Sequence, residues 1–165
     1  MKEFVNLYKR VIDFNTAAGV RDAEPFTNEW WKSVELQAKL LVEEAQEAYE
    51  GAVYGNDKEL LDGCVDNLVI AFKFADMLQK AGFDVVGAFE AICTNNDSKV
   101  FDSFYEAAEE KEKLELRDDV EYWIDTAICH GLPKYSIKRL DGKVMKKVGF
   151  QSVDLSKFLP KGRVS

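Results

Sequence analysis

Asp57-Lys58-Glu59-Leu60-Leu61-Asp62-Gly63-Cys64-Val65-Asp66-Asn67-Leu68-Val69-Ile70-Ala71-Phe72-Lys73-Phe74-Ala75 is the stretch on which the fold turns. Asn56 or Asp57 is suited to cap a helix, with Glu59 in its first turn against the positive end of the helix dipole. The helix is predicted to run to Lys80, before Gly82. Beyond Asp66 it is apolar on nearly every face, as expected of a central, buried helix. A chain organised around such a helix is predicted to be all-α: a bundle of four to six helices.

Upstream, Phe4, Leu7, Tyr8, Val11, Ile12 and Phe14 recur at helical spacing and predict helix one over 2–18, ending near Gly19. The pattern breaks from Val20 to Trp31 around Pro25, a loop that ends where Asn28 can cap a second helix from about Glu29 to Tyr49. Gly51 and Gly55 mark its end. Downstream, Val85–Thr94 predicts a short fourth helix before the polar string Thr94-Asn95-Asn96-Asp97-Ser98-Lys99. Residues 103–129 read as one or two more helices, with Glu106–Asp119 as a solvated charged face. After Gly131-Leu132-Pro133 the period changes to two, and Asp141-Gly142 signals a tight turn with Val144 and Val148 beyond it, so a small C-terminal β-hairpin is predicted there. Gly149–Ser165 reads as an extended tail. The expected organisation is a single domain over 1–165, with a helical core over 1–130 and the hairpin and tail over 131–165.

The 165 residues carry 30 acids and 22 lysines and arginines, a formal charge of -8 that opposes binding to a nucleic-acid polymer. A small phosphorylated ligand screened by divalent cations remains compatible with this charge. Cys64, Cys93 and Cys129 form no CxxC pair, and with the single His130 they offer no zinc cluster. Free thiols in a reducing cytoplasm are expected. No run of about 20 apolar residues could span a bilayer and the start lacks a signal-peptide core, so a soluble, cytoplasmic protein with no membrane partner is expected.

Two acidic helix faces carry the chemistry. At about 100° per residue, Leu36, Leu40, Glu43 and Glu47 share a narrow sector of the second helix with Glu44 at its edge. Glu59, Asp62 and Asp66 share one on the third. Carboxylates brought together away from water ionise at a penalty unless a cation compensates them, and hard oxygen donors suit Mg2+ or Mn2+ better than zinc. A chain rich in acids also places some of them at helical spacing by chance, as a solvated face. Lys73, on the face of Asp66, reads as an internal salt-bridge partner before a phosphate contact. Phe14 and Asn15, or Trp30 and Trp31, could hold a base, although aromatics at helical spacing more often belong to a core.

The string Leu40-Leu41-Val42-Glu43-Glu44-Ala45-Gln46-Glu47 followed by Glu59-Leu60-Leu61-Asp62 resembles the EExxE…ExxD signature of the MazG-like all-α pyrophosphohydrolases, which include dUTPases, dCTPases and phosphoribosyl-ATP pyrophosphohydrolases. Asn95-Asn96-Asp97-Ser98-Lys99 resembles the Asn-x-Ser-Lys element of the phosphoribosyl-ATP pyrophosphohydrolase-like branch, and Asp141-Gly142-Lys143-Val144 its Asp-Gly-Lys-Val. The resemblance covers about residues 35–100 and 135–155. It implies a helical bundle that binds magnesium and cleaves nucleoside triphosphates to monophosphate and pyrophosphate in nucleotide-pool cleansing, assembled as a homodimer or homotetramer. It implies metal ligands among Glu44, Glu47, Glu59, Asp62 and Asp66, catalytic roles for Glu43 and Glu44, and substrate contacts from Asn95, Asn96, Lys99 and Lys143. If Asp66-Asn67-Leu68-Val69 is aligned with the family's Asp-Leu-Leu-Tyr, the expected Glu falls on Gly63, so either Asp62 with Asp66 or Glu59 with Asp62 forms the second ligand pair. The segment between Lys99 and Asp141 and the tail without prolines before Asp154-Leu155 depart from the pattern. The competing expectations are a non-enzymatic helical interaction or metal-binding module and, within the family, a phosphoribosyl-ATP pyrophosphohydrolase.

Overall fold

The structure, a computed structural model, describes residues 2–162, with side chains from Val5 onward; Phe4 and residues 163–165 of the expected tail thus lie outside the described side chains. Of the described residues, 61% are helical. Among the described residues there are five α-helices, α1 (Lys2–Ala17), α2 (Asn28–Tyr54), α3 (Asp57–Lys80), α4 (Val85–Asp97) and α5 (Phe104–Asp118). Three short strands, β1 (Val100–Phe101), β2 (Trp123–Cys129) and β3 (Leu132–Lys138), complete the fold with a 3-10 turn over Leu155–Phe158. The mostly helical class with a small antiparallel sheet follows the expectation from the sequence. No helix is long and apolar enough to cross a membrane among the described residues.

The chain packs as two compact units, one holding the residues up to Val85 with those from Phe158 on, the other Val86–Lys157. In the first unit Thr27, rather than the expected Asn28, caps α2: its Oγ1 accepts from the Trp30 amide at 3.2 Å. The helix passes through Gly51 and ends at Gly55, whose left-handed φ of 67° a side chain would strain. Asn56 then caps α3, accepting from the Glu59 amide at 3.3 Å. So short a link forces α2 and α3 to run antiparallel as neighbours. Trp30 is buried against Phe26, and α1 rests on α3 where Tyr8 meets the Phe72 ring edge-on at 5.6 Å. Lys73 is buried too, paired with Asp22 at 2.5 Å, and Lys80 reaches both Asp22 and Asp76. Lys73 is thus the internal salt-bridge partner. The expected burial of α3 beyond Asp66 on all sides is not met within this unit, because Leu68 and Val69 remain exposed.

The second unit departs further from expectation. Residues 123–129, read as helix, form β2, and the hairpin joins β2 to β3 through His130-Gly131, both at positive φ, with Cys129 opposite Leu132. The Asp141-Gly142 turn exists, with the Gly142 amide on the Arg139 carbonyl at 2.8 Å, but it leads only to a single bridge between Lys138 and Val144. The sheet order is β1-β3-β2. Pro133 lies in the middle strand, yet opposite Ile128 and beyond the end of β1, where its missing N–H leaves no ladder bond unmade on that side. Leu114 and Ala107 of α5 close the core against Phe101, Tyr122 and Ile137. Of the charged residues of α5, Glu106, Glu109, Glu112, Lys113 and Arg117 are exposed as expected, whereas Glu110, Lys111, Glu115 and Asp118 are half-buried.

Candidate metal-binding face and substrate contacts

Three contacts fix how α2 and α3 face each other. A Cβ on Gly51 would lie 2.4 Å from the Leu60 nitrogen, and one on Gly63 would lie 2.6 Å from the Ala48 nitrogen and 2.9 Å from the Glu44 carbonyl oxygen. The Asn67 amide donates to the Leu41 carbonyl at 3.2 Å. The backbones therefore approach as closely as glycine permits, and the 44–48 turn of α2 stands level with the 62–66 turn of α3.

This places Glu44 within the field of four other acids. Partial burial and then the neighbouring charges of Glu47, Asp66, Glu43 and Asp62 raise its carboxyl above the ordinary range. Glu44 is half-buried, whereas Glu43, Glu47, Asp62 and Asp66 are exposed. Glu59 is differently engaged. It accepts from the Asn56 side-chain amide at 2.8 Å, completing a reciprocal cap at the start of α3, near the end of the hairpin where Gly51 packs on Leu60. The geometry thus groups Asp62 and Asp66 with Glu44, and Gly63 is backbone packing, where no ligand side chain could fit.

The donor chemistry suits a hard divalent cation. The positions as they stand do not yet enclose one: among the described residues, no three Asp, Glu, His or Cys side chains converge into a group that could hold an ion. Glu44, Glu47, Asp62 and Asp66 would have to swing toward one another, which long exposed side chains can do at the cost of rotamer entropy.

The expected substrate contacts belong to the second unit. Asn95 and Asn96 sit in the last turn of α4, where the Asn95 amide donates to the Gln151 carbonyl at 2.9 Å and Asn96 Oδ1 accepts from Lys99 Nζ at 2.5 Å. Lys99 and Lys143 line one groove of about 390 Å³ together with Lys146, Lys147 and Phe150. Lys146 and Lys147 were not among the contacts expected from the sequence. Their signal was the run from Gly142 to Val153, which contains no acid in a chain where acids prevail. Of the aromatic candidates, Trp30 is core, while Phe14 and Trp31 are exposed; the Asn15 side chain donates to the Val11 carbonyl within its own helix.

No family profile, no curated protein and no solved structure matches the chain.

Proposed function

We propose that the chain is a magnesium-dependent nucleoside triphosphate pyrophosphohydrolase of the MazG-like kind, cleaving a (d)NTP to the monophosphate and pyrophosphate. The supporting observation is the level pairing of the Glu44 turn with the Asp62–Asp66 turn, which leaves Glu44 surrounded by like charge and raised above its ordinary value. A carboxylate so placed is relieved by a cation. Glu44, Glu47, Asp62 and Asp66 would hold it, and manganese would fit the same oxygen donors. When bound, magnesium supplies charge neutralisation along the triphosphate and lowers the pKa of a coordinated water. Glu43, adjacent in sequence and exposed, orients the attacking water and takes up its proton as the new P–O bond forms at the α-phosphorus. The bond from the α-phosphorus to the bridging oxygen then breaks and pyrophosphate departs.

The chain acts as a homodimer or homotetramer in this reading. Leu7, Val11 and Phe14 of α1 and Val65, Leu68 and Val69 of α3 line an open apolar groove of about 500 Å³, and apolar side chains left facing solvent together favour association. The second reading, a helical interaction or metal-binding module without activity, draws on the carboxylates that do not converge.

The test is a panel of ordinary and modified dNTPs with magnesium, read by pyrophosphate release from wild type, Glu44→Ala and Asp62→Ala. Release from at least one nucleotide, lost in EDTA and reduced at least about a hundredfold in both variants, is expected for groups acting directly on the reaction. No release from any nucleotide, with both variants unchanged in divalent-ion affinity, overturns the enzyme reading.

A further inference from the structure

The basic side chains of the second unit fall into two populations. Lys111 pairs with Glu115 at 2.6 Å, Lys113 with Glu110 at 3.4 Å, Lys134 with Asp102, Lys138 with Asp125 and Arg139 with Asp141. Arg117 is committed to Asp118 through two bonds of 2.6 Å, and with Tyr122 it holds that carboxyl down to about 2. By contrast Lys99, Lys143, Lys146 and Lys147 form no ion pair among the described residues, and all four line the same groove. Among the described residues, Lys157 is the one other lysine of this unit without an ion pair. Like charges gathered without counter-charges repel each other, so their clustering opposes folding unless an anion occupies the space between them.

The groove also holds the lysines in place. Phe150 lies beneath both Lys146 and Lys99, with the ammonium groups 4.9 Å and 5.7 Å from its ring centre, and Lys147 lies 4.1 Å from that of Phe101. A cation over an aromatic face keeps its charge and its donors while losing part of its freedom. The hydrogen-bonded turn that joins Lys147 to Phe150, with the Phe150 amide on the Lys147 carbonyl at 3.0 Å, carries them past Gly149 at φ 78°. A held ammonium is a strongly hydrated point charge whose three donors still turn about the Cε–Nζ bond, which suits phosphoryl oxygens, and a site of this volume takes a small ligand rather than a polymer. The chain's overall charge of -8 works against a long polyanion in addition.

We propose that the groove bounded by Lys99, Lys143, Lys146 and Lys147 over Phe150 is a binding site for a short polyphosphate chain of two or three phosphoryl groups, and that it binds this anion without a divalent cation. Lys146 and Lys147 supply the charge and Phe150 positions it. The choice of anion rests on the nucleotide reading; the site itself stands on the second unit alone.

The experiment titrates tripolyphosphate into the full chain in EDTA, by calorimetry at low and moderate salt. Saturable one-to-one binding that weakens with salt is expected. The double variant Lys146→Ala/Lys147→Ala should lose about tenfold or more in affinity, Lys146→Arg/Lys147→Arg should retain most of it, and Lys111→Ala/Lys113→Ala, which removes the same charge elsewhere, should leave it unchanged. No saturable binding overturns the proposal, as does an equal loss in the control variant. A single-stranded oligonucleotide that binds more tightly than tripolyphosphate and loses affinity in the same double variant overturns it in favour of a nucleic-acid surface. Glu44→Gln separates the two readings: it should leave tripolyphosphate binding in EDTA intact, whatever becomes of pyrophosphate release.

Discussion

Gly63 shows how one missing side chain can order a site made by others. A methyl group there would press on the Ala48 nitrogen at 2.6 Å, and backbone cannot swing aside as a lysine tip can. Overpacking of this kind opposes stability by about 1–3 kcal/mol, and the better helix propensity of alanine returns at most about 1 kcal/mol. Gly63→Ala should therefore lower the melting temperature by a few degrees in calorimetry, despite being a change that stabilises most helices. Glu44 makes the opposite case. Its folded-state carboxyl is raised, so the folded chain holds its proton more tightly than the unfolded one, and ionisation works against the fold as pH rises through that raised value. Glu44→Gln should raise the melting temperature at pH 7 in EDTA, with the difference vanishing below the ordinary carboxylate range. If magnesium binds as proposed, the same substitution should abolish the ion's stabilising effect on wild type, so melting with and without magnesium checks both.

Elements were legible where local chemistry and packing agree. Asn56 with Glu59 announced the start of α3, and Gly55 ends α2 where a left-handed residue is needed. Gly51 misled because its role is lateral: it makes room for Leu60 rather than ending the helix. Strand β2 was hidden by its own spacing, since Trp123, Ile124, Ala127 and Ile128 recur as they would along a helix, and only pairing with β3 settles the conformation. Of the candidate site, the acidic faces were visible as periodicity, whereas the level placement of Asp62 and Asp66 with the Glu44 turn required the cross-helix register, which no single helix contains. Asp22 ties the loop after α1 to α3. Burial pushes its carboxyl upward, but bonds from Lys73 and Lys80 outweigh this and hold it below the usual range. The contribution is thus present above the ordinary carboxylate value and lost as pH falls through the depressed one. Asp22→Ala leaves the buried Lys73 only Asp76, at 4.0 Å, and should cost about 2 kcal/mol, less than the full loss of a buried pair because that partner remains. Thermal unfolding should read this as a drop of roughly 4–8 °C at pH 7.

At the scale of the whole molecule, the apolar surface of the first unit asks for a neighbour. Leu61 is 65% exposed, Val42 71% and Phe14 68%, values that favour burial in an assembly. Sedimentation should find a dimer or tetramer, and Leu61→Glu with Val65→Glu should shift it toward monomer; a wild-type monomer at high concentration would refute the association. The α2/α3 hairpin has a further consequence, which concerns time. The turns that carry Glu44 and Asp66 come level across a link of only Gly55 and Asn56, so their alignment closes a short loop and carries little of the entropy that slows distant pairings. The acidic face belongs to the low-contact-order part of the chain. A polypeptide emerging from the ribosome as far as Lys80 already contains every carboxylate of that face, and can gather them before the second unit has been synthesised.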